Sequence, residues 1–157
     1  MNDIALLELE TPVKFTKSVS PICLYTKISD DGGEKVWTEG WGLTDPEKFD
    51  SRSLNLLKVQ LQTVKTSECN EAFAKVVSKK FQGIFPSMLC IQGATAKTLR
   101  GDTCAGDGGS PVQMISEDKY HLVGVNSFGR KCGALDTPSV ATRVASHIDW
   151  IASIVWP

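Results

Sequence analysis

Apolar side chains recur at every second position over short runs of this chain, and that period decides the fold class before anything else. The clearest run sets Leu57, Val59 and Leu61 on one side and Lys58, Gln60 and Gln62 on the other, the pattern of a half-buried antiparallel strand. Further strands are predicted over 4–9, 36–39, 87–91, 112–115, 120–127 and 140–144, each bounded by Gly, Pro, Asp or Asn. Many short strands separated by turn residues predict an all-β sandwich or barrel. Two helices are predicted, one over 66–76 and a C-terminal one in which Ile148, Ile151, Ala152 and Val155 share a face. Ser146, three residues before Asp149, is the predicted cap of the second helix. Residues 30–33 and 42–52 read as surface loops.

Charge and cysteine usage narrow the setting. Seventeen basic and eighteen acidic side chains give a net charge of −1 with no like-charge block, which excludes recruitment of nucleic acid or of an anionic membrane by electrostatics. No apolar stretch approaches membrane-spanning length, and Met1-Asn2-Asp3 lacks the basic start and apolar core of a secretory signal. Cys23, Cys69, Cys90, Cys104 and Cys132 are many for a reducing compartment, and their gaps match no zinc-ligand pairing. Two disulfides and one unpaired cysteine are expected, the odd one seeking an external partner. An oxidising location without an export signal is consistent if the natural protein is longer than these residues, which is the expectation here.

The segment 100–111, Arg-Gly-Asp-Thr-Cys-Ala-Gly-Asp-Gly-Gly-Ser-Pro, holds four glycines, a cysteine, two aspartates and a proline in twelve positions. Alone it describes a tight turn tied by a disulfide, and a purely structural hairpin loop satisfies it. The rest of the chain adds context. Asn2-Asp3-Ile4-Ala5-Leu6-Leu7, Pro21-Ile22-Cys23-Leu24, Gly40-Trp41-Gly42, Val125-Asn126-Ser127-Phe128-Gly129, Thr142-Arg143-Val144 and Asp149-Trp150-Ile151 occur in that order. Together these segments resemble the chymotrypsin- and trypsin-like serine proteases, whose nucleophile loop reads Gly-Asp-Ser-Gly-Gly-Pro. The loop as written here also resembles that of arthropod clip-domain protease homologues.

The resemblance implies a trypsin-like double β-barrel of which the second barrel and C-terminal helix are complete. Residues 1–34 would be the tail of the first barrel with the interdomain segment, and 35–157 the second barrel and helix. It also implies the bridges Cys69–Cys90 and Cys104–Cys132, with Cys23 at the position that often ties the domain to an upstream chain. Val36 and Met114 stand at the two ends of a further family bridge, so both of its cysteines are replaced together.

Acyl transfer by a serine needs its hydroxyl, an imidazole to take the proton, a carboxylate orienting that imidazole, and N–H donors for the oxyanion. By resemblance Asp3 is the triad carboxylate, and the family order places the histidine upstream of Met1. His121 and His147 lack the family's histidine context and read as surface or structural residues. Gly108 occupies the nucleophile position, and Ser110 stands where the family has glycine. Two residues of chain displace a Cα by about 6–7 Å, so Ser110 is a poor substitute and reads rather as a small residue packed beneath the turn. Gly106 and Gly108 keep the oxyanion N–H donors. Asp107 matches the aspartate that receives a new N-terminal amine on activation, and without that amine it is expected to be an unpaired charge in a loose pocket.

Asp102 matches the pocket-base carboxylate that selects Arg or Lys, or else is an exposed loop aspartate. Ser127, Phe128 and Gly129 match the substrate-pairing strand. Ser139 puts a side chain where glycine lines the pocket wall, and Ala141 removes an aromatic group near its base, both against trypsin-like specificity. The expected function is that of a secreted protease homologue, catalytically inactive and acting on protein partners in an extracellular cascade. The alternative is an active trypsin-like endopeptidase with serine restored at 108. No cofactor or metal is implied.

Overall fold

The computed structural model describes residues 2–30, 32–74, 82–93, 101–130, 132–133 and 137–157. Its strands are β1 (Cys23–Leu24), β2 (Lys35–Gly40), β3 (Leu57–Val64), β4 (Met88–Gly93), β5 (Pro111–Ser116), β6 (Lys119–Phe128) and β7 (Ser139–Arg143). Helix α1 (Thr66–Ala74) lies between β3 and β4, and α2 (Ile148–Val155) follows β7.

Six strands close into a ring in the order β6, β5, β2, β3, β4, β7, with β7 returning to β6. Every pairing in the ring is antiparallel. Closure leaves the ring no open edge, which an alternating strand with one apolar face requires. On β3 the alternation works as read for Leu61, which is buried, while Leu57 at the strand's start remains exposed. Leu61, Val36, Ile91, Val112, Val123 and Ala141 belong to the cluster that fills the barrel, and Met114 packs against it. Val36 and Met114, the positions at which the resemblance implies a further bridge, thus both belong to or border the apolar core. A second cluster gathers Phe73 of α1 with Ile84, Met88 and Val140 around the Cys69–Cys90 disulfide. That bridge closes a loop of 21 residues, worth about 3 kcal/mol in chain entropy.

Several expectations change on the structure. Residues 4–9 form no strand, since among the described residues no strand pairs with them to complete a ladder, and Leu7 stays 89% exposed. Cys23–Leu24, read only as a motif, forms a short parallel strand on β6. The first helix ends at Ala74, and the remaining predicted positions lie outside the described residues. Ser146 caps nothing, because a 3-10 turn over Val144–His147 leads directly into α2 and puts His147 at its start.

Arg143, buried at the end of β7, knits the barrel to the segment before β2. Its guanidinium donates to the carbonyls of Ser29 at 2.8 Å, Pro86 at 2.9 Å and Met88 at 3.0 Å. Replacement by methionine leaves three carbonyls without this donor, and the Arg143→Met variant should lose about 3 kcal/mol of stability. Urea denaturation under non-reducing conditions measures this; a loss under about 1 kcal/mol would show that those carbonyls find water instead.

Candidate active site

The loop over residues 101–110 crosses one end of the barrel and is held mainly by backbone. Within it Asp107 N–H donates to the Cys104 carbonyl and Ser110 N–H to the Asp107 carbonyl. On one flank Gly109 N–H donates to the Asn126 carbonyl, and Asn126 N–H returns a bond to the Ser110 carbonyl. The opposite flank is fixed by Leu43 N–H on the Ala105 carbonyl. The Cys104–Cys132 disulfide then ties the loop to the segment after β6. Arg100, the first residue of the motif, lies outside the described residues.

Asp107 has no cationic partner among the described residues, as expected from the sequence, but its carboxylate is not bare. One carboxylate oxygen accepts Gly42 N–H at 2.8 Å and the other accepts Cys104 N–H at 2.9 Å, both neutral donors. The fit explains the Gly-Trp-Gly motif. A Cβ on Gly40 would run into this carboxylate, and one on Gly42 would stand 2.5 Å from it. Gly106 adds a second constraint, with φ of +103°, a conformation that side chains other than glycine's disfavour.

A cleft of about 340 Å³ opens beside the loop, lined among others by Gly106, Gly108, Ser127, Phe128, Gly129 and Ser139. Among the described residues, the N–H groups of Gly106 and Gly108 have no protein acceptor. Gly108 has ordinary backbone angles, and a Cβ there would meet only the Ser127 carbonyl oxygen, at 3.9 Å. Asp3 reaches the same place from the other side: its carboxylate accepts the Ser127 hydroxyl at 2.5 Å, and its carbonyl accepts the Thr142 hydroxyl at 2.8 Å. A bulge in the β6–β7 register between Asn126 and Phe128 takes Ser127 out of the ladder and leaves its hydroxyl for Asp3. Ser127 and Gly108 line the cleft, and Asp3 meets Ser127 from a separate small cavity that it lines with Phe128 and Thr142.

Ser110 faces away from this chemistry. Asn126 Nδ2 donates to Ser110 Oγ and to Thr38 Oγ1, each at 2.7 Å, and the two hydroxyls lie 3.4 Å apart. This buried polar trio beneath the turn was missed by sequence reading, because its members lie on three separate segments. The histidines are likewise engaged in packing. Buried His147 places Nδ1 at 3.0 Å from the Arg143 carbonyl, and His121 places its own at 3.1 Å from the Lys119 carbonyl.

The comparisons with known proteins follow this geometry. Residues 1–151 match the family model described as Trypsin. The chain belongs to the trypsin family. It is 36% identical to CLIP domain-containing serine protease C9 of Anopheles gambiae, over 98% of this chain and 44% of that protein. Identity to Serine protease Hayan of Drosophila melanogaster is 38%, over 99% of this chain and 25% of that protein. Human Testisin is 32% identical, over 98% of this chain and 48% of its own length. Mouse neuropsin, a serine protease expressed in the limbic system, superposes with a TM-score of 0.75 and 22% identity, over 93% of this chain and 58% of that one; this likeness supports the fold. The chain spans less than half the length of these curated relatives.

In this member of the trypsin family, the Ser110 hydroxyl is engaged beneath the turn with Asn126 and Thr38. Removing the Ser110 hydroxyl should cost about 1 kcal/mol and leave reactivity toward serine-directed reagents unchanged; Ser110→Ala in urea denaturation and in a labelling assay tests both.

Asp102 carries a pH signature. Burial is the main force pushing its carboxyl above the usual aspartate value of 3.8, Asp107's charge adds to it, and hydrogen bonds from Gly133, Thr103 and Ser139 oppose it. The folded state therefore binds more protons here than the unfolded chain. This group's contribution to stability is full below the unfolded value and is lost as pH rises through the folded one. Asp102→Asn removes that loss, so the stability of the variant relative to wild type should rise as pH increases above the usual aspartate value of 3.8. A difference that stays flat with pH would contradict desolvation of Asp102.

Proposed function

We propose that these residues belong to a secreted serine-protease homologue that binds polypeptide without cleaving it. Residues 1–34 would form the tail of a first barrel and the interdomain segment, and 35–157 the second barrel with its helix. Glycine at position 108, in a loop that resembles the nucleophile loop and departs from it at 108 and 110, carries this reading. A pair of N–H donors without a nucleophile can hold a carbonyl but cannot form an acyl intermediate. Two disulfides support an oxidising, extracellular location. Cys23, free and exposed, is the proposed attachment point for an upstream chain, and the histidine partner of Asp3 would come from outside residues 1–157. Action on protein partners in an extracellular cascade is part of this proposal, and the similarity to CLIP domain-containing serine protease C9 and Hayan supports kinship with serine proteases.

The second reading, an active endopeptidase with serine at position 108, is favoured by one observation: the space and the Asp3–Ser127 contact beside Gly108 are those a serine would use. One experiment separates the two. The natural full-length protein, exposed to a fluorophosphonate probe, should remain unlabelled, and Gly108→Ser should take up label at that residue. Labelling of the wild-type protein, or its cleavage of Arg or Lys peptides, would overturn the binding reading in favour of the enzyme.

A further inference from the structure

Residues 42–53 fold back on themselves beside the loop over 101–110, on the flank away from Asn126. Leu43 and Arg52 form an antiparallel bridge, Thr44 N–H donates to the Ser51 carbonyl, and Ser53 N–H donates to the Gly42 carbonyl. The limb that starts at Gly42 is bonded to the loop through Leu43 N–H on the Ala105 carbonyl and Gly42 N–H on the Asp107 carboxylate. The backbone of Arg52 is therefore tied, through its bridge to Leu43, to the turn that holds Gly106. Its guanidinium carbon lies 3.6 Å, and Nη2 3.8 Å, from the place a Cβ on Gly106 would take, so the side chain rests against the bare backbone of that glycine.

That guanidinium has no partner within the protein. Arg52 is exposed, and among the described residues its side chain makes no hydrogen bond and no ion pair. The same hairpin carries Asp45, Glu47 and Asp50, yet Asp45 pairs with Lys48 at 3.6 Å and none of the three is paired with Arg52. The loop's own carboxylate, Asp107, accepts the Gly42 and Cys104 N–H groups. Next to Arg52 the N–H groups of Gly106 and Gly108 also lack a protein acceptor. A planar fork of N–H donors beside two unpaired backbone donors suits a carboxylate, which accepts two guanidinium N–H groups at once.

The position of Arg52 says where along a bound polypeptide that carboxylate lies. Ser127, Phe128 and Gly129 line the cleft on the Asn126 side, and Gly106 and Gly108 line it at the loop. A segment lying along Ser127–Gly129, with one carbonyl on the two N–H groups, runs on over Gly106 toward the hairpin. An extended chain advances about 3.3 Å per residue, so a side chain within about two residues of the held carbonyl reaches the guanidinium.

We propose that Arg52 is a carboxylate-recognising residue of this protein, pairing with an acidic side chain, or with the chain end, of a polypeptide just past the carbonyl held by Gly106 and Gly108. The proposal rests on the reading of the cleft as a polypeptide-binding site, and its test keeps the two apart.

The natural full-length protein and its Arg52→Gln and Arg52→Glu variants are each used to select from a phage-displayed library of random heptapeptides, whose C-termini are fused to the coat protein so that side chains alone supply carboxylates. Wild type should enrich Asp or Glu at one position, Arg52→Gln should lose that preference, and Arg52→Glu should replace it with Lys or Arg. The selected peptide, synthesised with both ends blocked, is then compared by calorimetry with a counterpart in which the acid is replaced by its amide. The acid should be worth about 5-fold in affinity on wild type and nothing on Arg52→Gln, the scale of a part-exposed charge-assisted pair. That factor should shrink at about 0.5 M salt. A third peptide, cut short so that its free C-terminus falls at the same position, tells the two sources apart: binding equal to that of the acidic peptide supports the chain end, and weaker binding supports the side chain. Peptides enriched equally by all three proteins with no acidic preference overturn the role of Arg52 and leave the polypeptide reading standing. An acidic preference that persists in Arg52→Gln also overturns it. No enrichment by any of the three overturns the polypeptide reading, and the proposal falls with it.

Discussion

Strand β6 is the member on which the structure depends. It hydrogen-bonds to β5 along most of its length, while β1 and β7 take successive stretches of it at residues 121–122 and 124–128. Only the β6–β7 pairing turns a row of strands into a closed ring. The inner faces then pack Leu61, Ile91 and Val112 with almost no exposure, and nowhere along the ring is a ladder left open. The same strand delivers Asn126, Ser127, Phe128 and the adjoining Gly129 to the site. Barrel closure and site construction are thus one event, because the residues that finish the ladder also hold the loop over 101–110.

What survives in that loop follows from how it is held. Its shape comes from backbone bonds to Asn126 and Leu43, from the Cys104–Cys132 bridge and from the seat of Asp107 between two N–H groups. None of these needs a hydroxyl at position 108. A side chain at 108 would meet no strain from a positive φ, and its Cβ would find only the Ser127 carbonyl oxygen, at 3.9 Å. Losing glycine at 40 or 42 would be a different matter, because the Asp107 carboxylate occupies the volume a side chain would take.

The strands were legible because burial on one face imposes period two, and that period is local. Prediction failed where an outcome depended on a partner. Residues 4–9 carry a strand pattern but among the described residues have no strand to pair with, and Cys23–Leu24 form a strand only because β6 lies alongside. Ser146 has the spacing of a cap, yet the 3-10 turn before α2 uses that stretch otherwise. At the site, motif order located Asp3, Asp102, Asp107, Gly108 and Ser139. It could not indicate that Asp107 would be satisfied by N–H groups of Gly42 and Cys104, since every residue but proline offers such a donor. The Thr38–Ser110–Asn126 contacts were equally invisible, because their members are 16 to 88 positions apart.

From its sequence alone the chain was committed to an all-β fold and to trypsin-family kinship, properties carried by residue identity and short-range order. Tertiary structure decided the rest: that the Asp107 carboxylate accepts two backbone N–H groups, that Asp3 meets Ser127, that Ser110 is occupied beneath the turn and that Ser139 bonds to Asp102. The reason is geometric. A side chain's identity states what it can donate or accept, but its partner is whichever group the closed barrel brings within about 3 Å, and that distance exists only after distant segments have packed.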